Sequence, residues 1–186
     1  NLTDKAIDLD KAVVVSKSGS STEKFTIDGK GSAVPIEAGK YFVFAQSNEA
    51  AKNGGLTANY LYTGVSLSNS SQDYLEVQVG GVAIDNVTFT WGGAGWPTKS
   101  EGATLSLSGD VTSTTANDDP ANWCLGANVY GTQEGKSSKG TPGVKNPSCT
   151  PVPPPPPLAP EMFQPGRPHF EFWLDAWWLV LRYQLF

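Results

Sequence analysis

Apolar and polar positions alternate most regularly between Tyr74 and Thr90, YLEVQVGGVAIDNVTFT. Leu75, Val77 and Val79 fall on one side of an extended chain and Tyr74, Glu76 and Gln78 on the other, the two-residue period of a strand with one covered face. Gly80-Gly81 reverses the chain, and Val82, Ile84, Val87 and Phe89 resume the alternation with Thr88 and Thr90 facing away. Asp85-Asn86 interrupts that second run, which predicts a bulge or bend there. No segment before residue 158 has helical spacing, so the core is predicted to be a β-sheet built on this hairpin.

The other apolar runs fit the same plan. Ala12 to Val15 and Phe25 to Ile27 read as strands separated by a turn at SKSGSST. Tyr41 to Ala45 is apolar on both faces and predicts an interior strand. Residues 46 to 58 form a polar loop with Asn53-Gly54-Gly55 at its tip, after which Tyr60, Tyr62, Val65 and Leu67 lead back to the hairpin. WGGAGWP, residues 91 to 97, sets four small residues between Trp91 and Trp96 and cannot be a regular element. Thr104 to Leu107 gives a short strand, a polar loop runs from 108 to 122, Trp123 and Cys124 follow, and a loop rich in glycine and lysine closes at Cys149. Short strands at this spacing, with turn signals between them, predict an all-β, immunoglobulin-like β-sandwich.

Composition narrows the function. A net charge of -5 and a pI near 4.8, with no basic run, disfavour nucleic acid, and no nucleic-acid partner is expected. Few charges and many Ser, Thr, Gly and Asn residues suit an exported β-protein. Met162 is the single methionine, so the sequence is expected to be a mature or excised product. Cys124 and Cys149 are too few and too widely spaced for a thiolate metal site, and the single His169 is remote from both. In an exported protein they form a disulfide, and in a cytosolic one they are two buried thiols.

The order of several segments carries a family resemblance. Asn-Leu-Thr-Asp followed by Ile7-Asp8-Leu9, then PIEAGKYFVF, then GVAIDNVTFT, then Trp123 and the closing GTPGVKN is similar to the lamin-tail domain, especially its exported bacterial members, across nearly all of residues 1 to 149. Gly39 and Gly81 match turn glycines of that pattern, and Thr141-Pro142-Gly143 with Asn146 match its closing turn. The resemblance implies a compact sandwich used for binding or tethering, and it brings no catalytic residues. It also implies an opening strand of alternating aromatic and acidic residues ending at Asn1, which is absent here and would leave an unpaired edge.

Beyond the sandwich, Pro153 to Pro157 predicts an extended, semi-rigid spacer within a linker spanning 150 to 168. Residues 169 to 186, HFEFWLDAWWLVLRYQLF, are densely aromatic. As a helix they set Phe170, Trp173, Leu174, Trp177, Leu181 and Leu185 in one stripe, with Glu171, Asp175 and Arg182 opposite. As a strand, His169 to Leu174 has the character of the missing opening strand and can be donated to the same or a neighbouring sandwich. The third reading is an extension foreign to the domain. Phe170, Phe172, Trp173, Leu174, Trp177 and Trp178 are the candidate assembly residues, and contact with a membrane is the less favoured use of them.

Other candidate chemistry is sparse. Asn117, Asp118 and Asp119 offer oxygen ligands for calcium but lack the alternating spacing of an EF-hand loop, and a solvated turn is the simpler reading. Asp85 has no second carboxylate placed near it by sequence, and His169 has no nucleophile beside it. Trp91 and Trp96 form a candidate ligand loop for sugar rings or prolines. Asn1, Asn69 and Asn86 begin glycosylation sequons, usable only in a eukaryotic secretory pathway. The expectation is a non-enzymatic extracellular module without cofactors that associates with copies of itself or with a cell-surface protein. The alternative is a monomeric accessory domain binding through the Trp91–Trp96 loop.

Overall fold

In chain order the strands are β1 (Ile7–Asp8), β2 (Val13–Ser18), β3 (Ser21–Thr26), β4 (Pro35–Ile36), β5 (Phe44–Ala45), β6 (Tyr60–Leu61), β7 (Gln72–Val79), β8 (Val82–Thr90), β9 (Leu105–Leu107), β10 (Trp123–Leu125), β11 (Val129–Gln133), β12 (Lys136–Lys139), β13 (His169–Asp175) and β14 (Trp178–Gln184). One short helix, α1, spans Ala50–Asn53. The computed structural model describes residues 1–69 and 71–149, and the backbone of β13 and β14. The proline-rich linker, Trp177 and Leu185 lie outside the described residues. Two compact units emerge, Asn1–Pro151 and Val152–Phe186.

The first unit is an all-β, sandwich-like fold organised on a four-stranded antiparallel sheet in the order β3-β2-β7-β8. The hairpin predicted from residues 74 to 90 is present as β7 and β8, with Gly80 and Gly81 both at positive φ in its two-residue turn. Its break falls one residue before the expected place. Val77 pairs with Asp85 and Gln78 with Ala83, so Ile84 is the extra residue of the bulge. The tip of the hairpin extends past the core, which leaves Val82 66% and Ile84 50% exposed, although alternation placed both on the covered face.

Register sorts the rest of the sheet. On the inner face Val14 lies opposite Phe25 and Val77, and beyond them Ala12, Ile27 and Leu9 form the buried core. Ile7, Val34, Ile36, Phe42, Phe44, Tyr60 and Val79 pack around that core. Further along the same face the pairs turn polar: Ser16 opposite Glu23, and Ser18 opposite Ser21. The outer face carries Lys17, Lys24, Tyr74, Glu76 and Gln78 around a buried Val15.

The predicted loop over 46 to 58 contains α1, where a polar stretch takes one helical turn closed by Gly54 at positive φ, and two predicted segments differ in extent. The segment SKSGSST is mostly strand: β2 continues to Ser18 and β3 starts at Ser21, leaving only Gly19, at positive φ, and Ser20 to turn the chain. Backbone pairing overrides the polar composition of this stretch. Of Tyr41 to Ala45 only Phe44–Ala45 forms a strand, in a short parallel pair with β6, and Tyr41 is exposed. Here side-chain packing prevails over strand pairing: Phe25, Phe42, Phe44, Tyr60 and Tyr62 make a linked set of ring contacts, the closest a stacked Phe25–Tyr62 pair at 4.7 Å.

The remaining pairs are β1–β4, β9–β10 and the hairpin β11–β12, the last within the stretch expected to be a loop. Cys124 on β10 and Cys149 are joined by a disulfide with a Cα–Cα distance of 5.6 Å. The closing segment is held further by Asn146, whose Nδ2 donates to the Leu107 carbonyl at 2.7 Å, and by Thr141 Oγ1, which donates to Asn146 Oδ1.

In the second unit β13 and β14 pair antiparallel from His169↔Gln184 to Asp175↔Trp178. The tail is therefore a hairpin, and the helical stripe through Phe170, Trp173 and Leu174 does not form. Two β-prone aromatic runs separated by two residues satisfy each other's backbone groups as neighbouring strands.

The disulfide closes a loop with a sequence separation of 25. Replacing Cys149 with Ser is expected to lower the urea-unfolding free energy of the full chain by about 3.5 kcal/mol, the loop-entropy value, and a loss under about 1 kcal/mol would show that the other anchors hold the segment alone.

Candidate functional site

The polar end of the inner sheet face is built around Asp73. Its position opposite Phe89 turns the carboxylate inward, and the residue is 0% exposed. Ser16 Oγ donates to Asp73 Oδ1 at 2.9 Å, and the Ser68 amide donates to Oδ2 at 2.5 Å. The Tyr74 amide also donates to Oδ1 at 2.8 Å, and among the described residues these hydrogen-bonding partners are all neutral donors. One of those donors belongs to the connection between β6 and β7, which is thereby clamped over the sheet. Ser66 repeats the device, its amide donating to Glu23 Oε2 at 2.7 Å.

Between this connection and the sheet lies a groove of about 290 Å³, lined by five serines (Ser16, Ser18, Ser21, Ser66 and Ser68) with Glu23 and Leu67. Ser16 forms its buried floor. Sequence reasoning missed both Asp73 and the groove. The available signal was an acidic residue at the apolar register of the best strand in the chain, two positions before Leu75.

The Trp91–Trp96 loop sits beside this end of the sheet. Trp91 Nε1 donates to the Ser68 carbonyl at 3.0 Å, and its ring meets Phe89 edge-on at 6.0 Å. Trp96, 9% exposed, packs against Phe89 and against Trp123, the latter at 5.6 Å. The two tryptophans cap the Phe89 end of the core, and Trp96 presents no open face to a ligand.

Asn117 is buried on the inner side of β8, where its Nδ2 donates to Asp85 Oδ2 at 2.8 Å and its carbonyl accepts from Trp123 Nε1 at 2.7 Å. Its Oδ1 has no hydrogen-bond partner among the described residues. Asp118 is exposed, and Asp119 caps the short turn Pro120–Asn122 by accepting from the Ala121 amide at 2.9 Å. The three residues weighed as possible calcium ligands thus point to different tasks. Asp85 also accepts from the Asn86 amide, the bulge-bracing role open to it from sequence. Among the described residues no group of three His, Cys, Asp or Glu side chains is arranged to hold a metal ion.

Of the sequon residues, Asn1 has its side-chain nitrogen bonded to the Lys5 and Ile36 carbonyls, whereas Asn69 and Asn86 are exposed. His169 begins β13. The register of the tail hairpin separates the assembly residues: Phe170, Phe172 and Leu174 share a face with Tyr183, Leu181 and Leu179, while Trp173 and Trp178 belong to the other.

Several carboxylates, all on exposed residues except the largely buried Glu76, are held below their ordinary range by named donors. The amides of Asp10 and Val34 do this for Asp8, Lys11 for Asp28, the Tyr74 hydroxyl and then Gln78 for Glu76, Lys136 for Glu101, and Ser148 followed by Lys145 for Asp110. The Glu76 carboxylate in turn pushes Tyr74 up to about 12. Set against family models, curated proteins and solved structures, the chain matches none of them.

A depressed carboxylate stabilises the fold above its unfolded pKa and loses that contribution as pH falls through the folded value. The melting temperature should therefore hold steady from neutrality to the ordinary carboxylate range, 4.5 for Glu and 3.8 for Asp, and then fall. A melting temperature that stays level or rises down to about pH 2 would contradict these assignments.

Proposed function

We propose that this chain is an exported, non-enzymatic structural module, similar to the lamin-tail domain, that self-associates through its C-terminal hairpin. The observation that carries this reading is the register of β13 and β14, which gathers Phe170, Phe172, Leu174, Leu179, Leu181 and Tyr183 at the positions of one face. A two-stranded hairpin is marginal by itself in water and needs further strands or a packing surface to be stable. A neighbouring copy supplies that surface. Because a tail seated on another copy is a heterologous contact, repetition of it builds an open filament unless the geometry closes a ring.

Two features of the sandwich support the same division of labour. The edge strand β3, STEKFT, carries Glu23 and Lys24 among largely exposed positions, which discourages random pairing along that edge. The Cys124–Cys149 disulfide suits an oxidising, extracellular setting and fastens the end of the sandwich from which the tail continues. Among the described residues no helix is long and apolar enough to cross a membrane. For the accessory-domain alternative, Trp91 is the partly exposed ring of the Trp91–Trp96 loop, since Trp96 packs against Phe89 and Trp123.

Light scattering behind size exclusion, with negative-stain microscopy, tests the reading on the full chain and on a chain ending at Pro157. Oligomers or filaments from the first and monomers from the second are expected. Monomers from both would remove self-association, and oligomers from both would move it to the sandwich.

A further inference from the structure

We propose that the serine-lined groove over the polar end of the four-stranded sheet is a binding site for a neutral saccharide, taking one or two sugar units of a longer glycan. The inference rests on the sandwich alone and does not depend on the role given to the tail. At about 290 Å³ the groove is at the small end of ligand sites. Its wall offers the hydroxyls of Ser21 and Ser66, each able to donate and accept, and one carboxylate, Glu23, while the Ser16 and Ser18 hydroxyls already donate to Asp73 and to the Gln72 carbonyl. Among the described residues no Lys, Arg or His lines it, which argues against phosphate, sulfate or carboxylate ligands. A divalent cation would demand more carboxylates than the one present. A run of sugar hydroxyls matches this mixture of donors and acceptors, and Leu67, exposed at the rim, suits the apolar C–H face of a pyranose.

The groups needed for recognition are uncommitted. The hydroxyls of Ser21 and Ser66 and the Oε1 of Glu23 make no hydrogen bond to other described residues, while Glu23 Oε2 is held by the Ser66 amide. The frame around them is fixed before any ligand arrives. Asp73 ties Ser16 in the floor to the Ser68 amide in the wall, and the Trp91 indole holds the Ser68 carbonyl. A frame already locked spares the ligand the entropy of ordering it.

The test is saturation-transfer NMR on the full chain with cellohexaose, maltohexaose and chitohexaose as probes. Transfer to at least one probe is expected, with a Kd on the order of 1 mM, as a small polar site allows. Ser21→Leu, which fills the groove from an exposed strand position, should weaken that binding at least about tenfold. Glu23→Gln keeps an oxygen for the Ser66 amide and should weaken it about three- to tenfold through loss of a charge-assisted acceptor. Absence of transfer to all three probes would overturn the proposal. So would binding undiminished in both variants, which would place the sugar elsewhere on the chain.

Discussion

The full burial of the Asp73 carboxylate, bonded among the described residues by neutral donors alone, constrains the rest of the sandwich. Asp73 occupies an inward register position on β7, and the only way to keep it there is to surround it with donors. Ser16 and the Ser68 amide meet that demand, and doing so fixes two things together. β2 must continue as a strand to bring Ser16 into place, and the β6–β7 connection must fold back over the sheet. The inner face consequently divides into an apolar part, centred on Leu9, Ala12 and Ile27, and a hydroxyl-rich part. The second has little hydrophobic stabilisation of its own and depends on the completeness of its hydrogen bonds.

That division also explains how so modest a core supports the fold. The apolar part is reinforced by ring contacts from Phe25 and its neighbours, and the far end by Phe89, Trp91, Trp96 and Trp123. The disulfide and the Asn146 anchor secure the last segment, which has no strand partner. The polar end of the sandwich is thus held by directed bonds rather than by volume.

The sequence made the central hairpin legible because Leu75, Val77 and Val79 alternate strictly and Gly80-Gly81 leaves few other turns open. It made the disulfide legible through composition, and the closing turn through Thr141 and Asn146. It hid the β2–β3 connection, because Ser16 to Thr22 is as polar as a loop and its strand character comes from pairing with Leu75 and Tyr74, far along the chain. For the same reason the groove was invisible, since its walls come from residues 16 to 23 and 66 to 68. Asp73 reads as the polar flank of a strand until register shows which face it takes. In the tail, aromatic spacing was compatible with helix and strand alike, and only pairing with β14 decides between them.

The most direct measurement is native-state hydrogen exchange at the Ser68 amide, in the original chain and in Asp73→Asn. If Asp73 clamps the connection to the sheet, Ser68 exchanges as slowly as the paired amides of β7 in the original chain. In the variant it accelerates by at least about tenfold, the equivalent of losing one charge-assisted hydrogen bond. Exchange at the rate of an open loop in the original chain, or protection unchanged in the variant, would contradict the account.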